Sequence, residues 1–176
     1  SLFLWLSRGA PALIPVISFI GRSGVGKTTY LEKLIAELKR RGYRVGVVKH
    51  DIHGFEIDHP GKDTWRHAQA GADVVCISSR EKFALIQKMQ RDMPLEEILA
   101  QIRDVDIILV EGYKNHSALR AEIFRRDCGR EPLDRPEDLF AVISDTPLYP
   151  ELPCFDLDAV ALFADYLEQK FGVAKK

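Results

Sequence analysis

The residues with the most obvious chemistry in this chain stand together near its start. Gly21-Arg22-Ser23-Gly24-Val25-Gly26-Lys27-Thr28 fits the pattern G-x-x-x-x-G-K-[ST], which cradles nucleotide phosphates when it follows a strand and opens a helix. Its glycines permit backbone angles that let the N–H groups of Gly21, Ser23, Gly24, Val25 and Gly26 curl around phosphate oxygens. Lys27 reaches the β- and γ-phosphates and offsets the charge that develops when a phosphoryl group is transferred. Thr28 sets its hydroxyl on magnesium, and the amino end of the helix adds its own partial positive charge.

Such a loop needs an acid at the end of a neighbouring strand to hold magnesium or its water shell. Asp106-Ile107-Ile108-Leu109-Val110-Glu111 provides one, because four apolar residues bury the strand and deliver Glu111 at its carboxyl end, where ligand sites of α/β sheets lie. Asp106 falls at the opposite end. A second concentration of polar groups runs from Lys49 to Thr64 and includes His50, His53, His59, Asp51, Asp58 and Asp63. Three readings of it stay open. It could be a switch-like segment whose acids, Asp51 foremost, meet the metal or the last phosphate. It could be a histidine metal site, although the spacing matches no zinc pattern. It could also be a solvated loop.

These groups need a scaffold, and the pattern of apolar residues predicts one. Residues 16–20 read as a buried strand that ends at Gly21. A helix follows over 27–41, with Leu31, Leu34, Ile35 and Leu38 on one stripe and Gly42 placed to end it. Further strands are expected at 44–49, 73–78, 83–87, 106–110, 122–126 and 140–144. Helices are expected over 63–70, after Pro94 with Leu95, Ile98, Leu99 and Ile102 inward, and over 158–170. Strand alternating with helix predicts an α/β three-layer phosphate-loop fold, a mostly parallel sheet with helices on both faces. Residues 1–14 read as an N-terminal extension and 15–176 as one nucleotide-binding domain.

Composition narrows the class. The 176 residues are 46% hydrophobic and 29% charged, as suits a packed domain. A formal net charge of -1 excludes a general polyanion binder, so nucleic acid is not an expected partner. No apolar run reaches the roughly 18 residues of a membrane span. The opening 1–20 is broken by Arg8, Gly9, Pro11 and Pro15 and does not read as a signal peptide. Cys76, Cys128 and Cys154 stand far apart and read as free thiols of a cytoplasmic protein.

Several further segments come in one order: Lys49-His50, Pro60-Gly61-Lys62-Asp63-Thr64, Ala70-Gly71-Ala72, Val110-Glu111-Gly112-Tyr113-Lys114, Ile123-Phe124-Arg125-Arg126-Asp127 and Ser144-Asp145-Thr146-Pro147. With the phosphate loop they resemble the MobB family, the molybdopterin-guanine dinucleotide biosynthesis adaptor proteins, from about residue 15 to 170. The resemblance implies a homodimeric, magnesium-dependent GTP-binding protein with weak GTPase activity. Its implied partner is the MobA guanylyltransferase, with molybdopterin as a further ligand. By motif, Gly24, Gly26, Lys27, Thr28 and Thr29 would bind GTP phosphates and Glu111 would serve magnesium or water. Lys49, Asp63 and Lys114 would be secondary site residues. Asp145 would accept from guanine, or else begin a turn before Pro147. Basic Lys114, Arg120, Arg125 and Arg126 would meet a pterin phosphate or an acidic partner, or form a solvated face.

No NKxD signature is present, and Arg22 stands near where many relatives of the wider class carry a second lysine. Guanine preference therefore comes from the resemblance alone. A small-molecule kinase or ligase using ATP is the alternative from the same loop, with an acceptor between Asp63 and Lys114. A third is a binding module in which nucleotide only tightens a dimer.

Overall fold

The computed structural model describes residues 4–6, 13–113, 119–128 and 131–172. By contacts the chain divides into two compact units, 1–50 with 95–176, and 51–94.

The first unit is built on β2 (Leu13–Ile20), β3 (Val45–Lys49), β6 (Ile107–Glu111), β7 (Leu119–Phe124), β8 (Ala141–Ser144) and β9 (Cys154–Phe155). They lie in the order β3-β6-β2-β7-β8-β9, and every pairing along that path is parallel. A short β1 (Leu4–Leu6) pairs antiparallel with the start of β2. Each predicted core strand is present with its ends shifted by a few residues. The expectation for the first, 16–20, began three residues late, because Pro15 was read as a breaker. Pro15 instead sits within the β1–β2 pairing, opposite Leu4.

Side chains alternate across the sheet with period two. Ile17, Phe19, Leu109, Ile123 and Ile143 point to one face, covered by α1 (Lys27–Arg40) and α4 (Val160–Phe171). Val16, Ile108, Val110 and Val48 point to the other, under α3 (Leu95–Leu99). Helices on both faces are as predicted. Phe19, Tyr30 and Phe163 meet at ring-centroid distances of 6.1 to 6.4 Å in the larger core.

The end of α1 shows how local sequence sets a boundary. Gly42 takes φ 91, its N–H donates to the Lys39 carbonyl, and the Tyr43 N–H donates to that of Leu38. This is the paired-bond stop that glycine makes accessible. Beside it, Arg41 donates to Glu37 at 2.8 Å and to Asp165 at 2.7 Å, tying α1 to α4. Hydrogen bonds from Arg40 and Arg41 hold the Glu37 carboxyl down at about 2, below its ordinary 4.5. A carboxyl lowered by folding contributes stability that is present above the unfolded value and lost as pH falls through the folded one. The difference in melting temperature between wild type and Glu37→Gln is therefore expected to be full at neutral pH and to close between pH 4.5 and about 2. A gap that stayed constant through that window would remove the ion pairs as its source.

The second unit contains α2 (Asp63–Gln69) and a two-stranded antiparallel sheet of β4 (Val74–Ser78) and β5 (Phe83–Gln87). Both strands were expected, but among alternating strands and helices of one sheet. Only residues 79–82 join them, too few for the crossover that parallel pairing needs, so they close as a hairpin.

Candidate functional site

All strands of the main path are parallel, so β2, β3, β6, β7 and β8 end at one edge of the sheet. Those ends carry Gly21, Lys49, Glu111, Arg125 and Asp145. The loop from Gly21 runs into α1 with Gly24 at φ 79 and Gly26 at φ 96, left-handed angles that a side chain would strain. No acidic residue occupies the first turn of the 14-residue α1. Its positive end is left for a ligand to offset. Lys27 Nζ donates to the carbonyls of Gly21 at 2.7 Å and Arg22 at 3.1 Å, which folds the ammonium across the loop.

Thr28 and Glu111 meet directly. The Thr28 hydroxyl donates to Glu111 Oε1 at 3.2 Å, and Glu111 is buried, with 9% of the residue exposed. Parallel register explains the meeting, because Phe19 pairs with Glu111 and β2 continues straight into the loop. On the other side Lys49 is directly across from Glu111 in the β3–β6 pairing. The His50 N–H donates to the Glu111 carbonyl at 2.9 Å, and the His50 ring lies 4.4 Å from that of Tyr113. Gly112 permits this closeness: a Cβ there would sit 2.8 Å from the His50 carbonyl oxygen, and its φ is 96. Ser18, fully buried in β2, donates to the Tyr113 carbonyl at 3.1 Å and fixes the chain just beyond.

The Thr28–Glu111 pair fits magnesium by its donor chemistry. It offers oxygen only, and magnesium commonly takes one or two protein oxygens with waters and phosphate completing its shell. Among the described residues no group of three or more His, Cys, Asp or Glu side chains is placed to hold a metal ion. The histidine site raised from sequence therefore finds no cage there. The Asp51 carboxylate caps a turn by accepting from the His53 N–H at 2.8 Å, and Asp63 opens α2 in full exposure. Both belong to the second unit. Lys114 lies outside the described residues.

Asp145 follows β8. Its Oδ1 accepts from the Arg126 N–H at 3.1 Å, while the Ser144 hydroxyl accepts from the Thr146 N–H at 3.1 Å. Arg126 also donates from Nη2 to Thr146 Oγ1 at 3.1 Å. One carboxylate oxygen of Asp145 is thus in use.

Glu122 was missed as a site residue. It is 1% exposed on β7, and its carboxylate accepts the N–H groups of Leu133 at 2.6 Å and Asp134 at 3.2 Å. Burial pushes its carboxyl above the ordinary range, partly offset by those two backbone bonds. The segment it anchors carries Glu131, whose carbonyl accepts from Arg22 Nη2 at 3.2 Å. The phosphate loop is therefore held from its second residue as well as from its helix. An apolar-flanked Glu inside a strand was the only available signal, and it does not reveal which backbone it bonds.

Comparison with known proteins adds an independent line. The family model described as "Molybdopterin guanine dinucleotide synthesis protein B" (MobB) matches residues 16–145. The chain is 36% identical over 161 residues to the molybdopterin-guanine dinucleotide biosynthesis adapter protein of Escherichia coli K12, spanning 88% of this chain and 92% of that one. It is 33% identical over 157 residues to the corresponding adapter protein of Haemophilus influenzae Rd, spanning 88% of each. The crystal structure of Bacillus subtilis MobB is similar with a TM-score of 0.65 at 27% identity, over 86% of this chain and 97% of that one.

Proposed function

The chain belongs to the MobB family, and from that premise we propose that it is a magnesium-dependent GTP-binding protein with slow GTPase activity, acting as an adaptor in molybdopterin guanine dinucleotide synthesis. The observation that carries the nucleotide part is the Thr28–Glu111 contact at 3.2 Å beside the phosphate loop. Two oxygens from different elements converge where a phosphate-bound cation would need them.

The roles follow from placement. Backbone N–H groups of Ser23, Gly24, Val25 and Gly26, with Thr29 at the helix start, bind phosphate oxygens. Lys27 swings from the Gly21 and Arg22 carbonyls onto the β- and γ-phosphates. Thr28 and Glu111 would hold magnesium, which when bound would offset charge on the phosphate oxygens. In hydrolysis a water oxygen bonds to the γ-phosphorus as its bond to the β–γ bridging oxygen breaks, releasing GDP and phosphate. Lys27 offsets the charge left on that bridge, and Glu111 accepts a hydrogen bond from the attacking water. Lys49, Asp63 and Lys114 serve as secondary contacts and Asp51 as a further metal acid. The free oxygen of Asp145 accepts from guanine.

Its partners in this reading are a MobA guanylyltransferase, which consumes GTP to build the dinucleotide cofactor, molybdopterin, and a second copy of the chain. Exposed Val74, Phe83 and Leu85 share one face of the β4–β5 hairpin, and covering them supports the homodimer. The cytoplasm is the proposed location.

Equilibrium binding of GTP and ATP, each with magnesium and with chelator, tests the reading. Magnesium-dependent preference for GTP is the expected result, followed by capture of MobA from a defined mixture. Preference for ATP would move the kinase or ligase reading to the front.

A further inference from the structure

The phosphate loop has a weak point in its own backbone. The peptide joining Val25 to Gly26 must present the Gly26 N–H toward a bound phosphate, yet Gly26 tolerates either sign of φ. Rotation of that one peptide plane would turn the N–H out and the Val25 carbonyl in, toward the anion, at little steric cost.

The structure holds the plane from outside. Gly21 lets β7 approach closely, since a Cβ on it would lie 2.7 Å from the Ile123 carbonyl oxygen. Two residues later Arg125 Nε donates to the Val25 carbonyl at 2.9 Å. Its Nη2 lies 3.6 Å from where a Cβ of Gly26 would be, so the guanidinium lies along the back of the loop. Cys128, in the helical turn Arg126–Cys128, brings its Sγ to 3.8 Å from the neighbouring Gly24 carbonyl. In a planar trans peptide the carbonyl and the following N–H point in opposite directions. A donor that captures the Val25 carbonyl from outside therefore aims the Gly26 N–H inward.

We infer that Arg125 is a positioning residue for nucleotide binding: it clamps the Val25–Gly26 peptide in the phosphate-competent orientation through its Nε bond and does not itself touch the phosphates. The inference rests on the nucleotide-binding reading above and adds to it a residue whose role is exerted through the backbone. The same stretch reaches the Asp145 turn through Arg126. One short segment thus braces the loop and the next strand's end together.

The clamp predicts a particular kinetic pattern. Without it the loop samples both orientations, and apparent affinity falls by the fraction that remains competent. If that fraction drops to about one in ten, affinity drops about 10-fold. The loss appears in the association rate. Dissociation is unchanged, because bound phosphate itself holds the Gly26 N–H. A direct phosphate contact behaves differently: losing it speeds dissociation and flattens the dependence on salt.

Two substitutions separate these cases. Arg125→Met matches the side chain as far as the Nε position and removes the donor. Arg125→Gln puts a neutral amide nitrogen the same number of bonds from the backbone as Nε. Association and dissociation of fluorescent GDP are measured by stopped flow with magnesium at two salt concentrations, with thermal unfolding of each variant alongside. R125M is expected to associate about 10-fold more slowly with unchanged dissociation, and R125Q to recover most of the rate. Equal rates for R125M and wild type would overturn the clamp. So would an R125Q variant as weak as R125M with faster dissociation and a shallower salt dependence, since the charge would then be what matters. Should R125M fail to fold, R125Q alone still decides between bond and charge. A wild-type protein that binds neither GDP nor GTP would overturn both this and the reading it rests on, whereas normal wild-type binding with unaffected variants would overturn the clamp alone.

Discussion

Lys27→Ala is expected to weaken GTP binding by about 100-fold or more, the scale of removing one partner from a close, partly desolvated charge pair. The ammonium already sits at the loop, donating to the Gly21 and Arg22 carbonyls, and it exchanges those neutral acceptors for phosphate oxygens when nucleotide arrives. Charged acceptors make stronger and shorter bonds than neutral carbonyls, so the exchange favours the bound state. The fold should survive, because Lys27 lies at the start of α1 while the buried stripe of Tyr30, Leu31, Leu34 and Leu38 anchors that helix. Isothermal titration with GTP and magnesium measures the affinity, and a thermal melt of each protein separates lost binding from lost structure. A Lys27→Ala protein that melts like wild type and binds GTP equally well would take the loop out of the nucleotide site. An effect on GTP much larger than on GDP is also expected, since the lysine reaches the β- and γ-phosphates and GDP has only the first.

Much of this arrangement was legible in the sequence, for reasons that differ by element. The loop was readable because its glycines, lysine and threonine are close in the chain, and the position of Glu111 at the carboxyl end of its strand because four apolar residues before it mark a buried strand. The helix stop at Gly42 was readable because one residue type supplies the φ of 91 found there. What was not readable is lateral order. Nothing in residues 119–124 says that β7 lies beside β2 while β6 takes the other side, so Arg125 looked like one basic residue among several rather than a donor to the Val25 carbonyl. Glu122 was opaque for the same reason: its partners, Leu133 and Asp134, are joined to it by the return of the chain across the sheet. The β4–β5 pairing turns on loop length, because residues 79–82 are too few to span a parallel crossover.

Glu111→Gln tests the other half of the site and separates binding from chemistry. The substitution keeps an oxygen for the Thr28 hydroxyl and keeps the volume of a buried residue, so the 3.2 Å contact has a partner in the variant. It removes the negative charge. A carboxylate that attracts a divalent cation and accepts from a water is replaced by a weaker, neutral acceptor. GTP affinity in chelator is therefore expected to stay near wild type, while the gain on adding magnesium shrinks. Hydrolysis is expected to fall by about 100-fold, the lower end of what a positioned acid or base contributes. Single-turnover hydrolysis, with GTP held below the protein concentration, reads the chemical step free of product release. A rate equal to wild type would remove Glu111 from the reaction. If nucleotide still tightened self-association in that variant, the chain would be better described as a nucleotide-dependent binding module. The two substitutions thus diverge by design: Lys27→Ala strikes ground-state binding of the phosphates, and Glu111→Gln leaves the nucleotide bound but unhydrolysed. A protein in which both lost affinity to the same degree, with no separate effect on turnover, would hold GTP through a single undivided contact network and would not fit the roles assigned to Thr28 and Glu111.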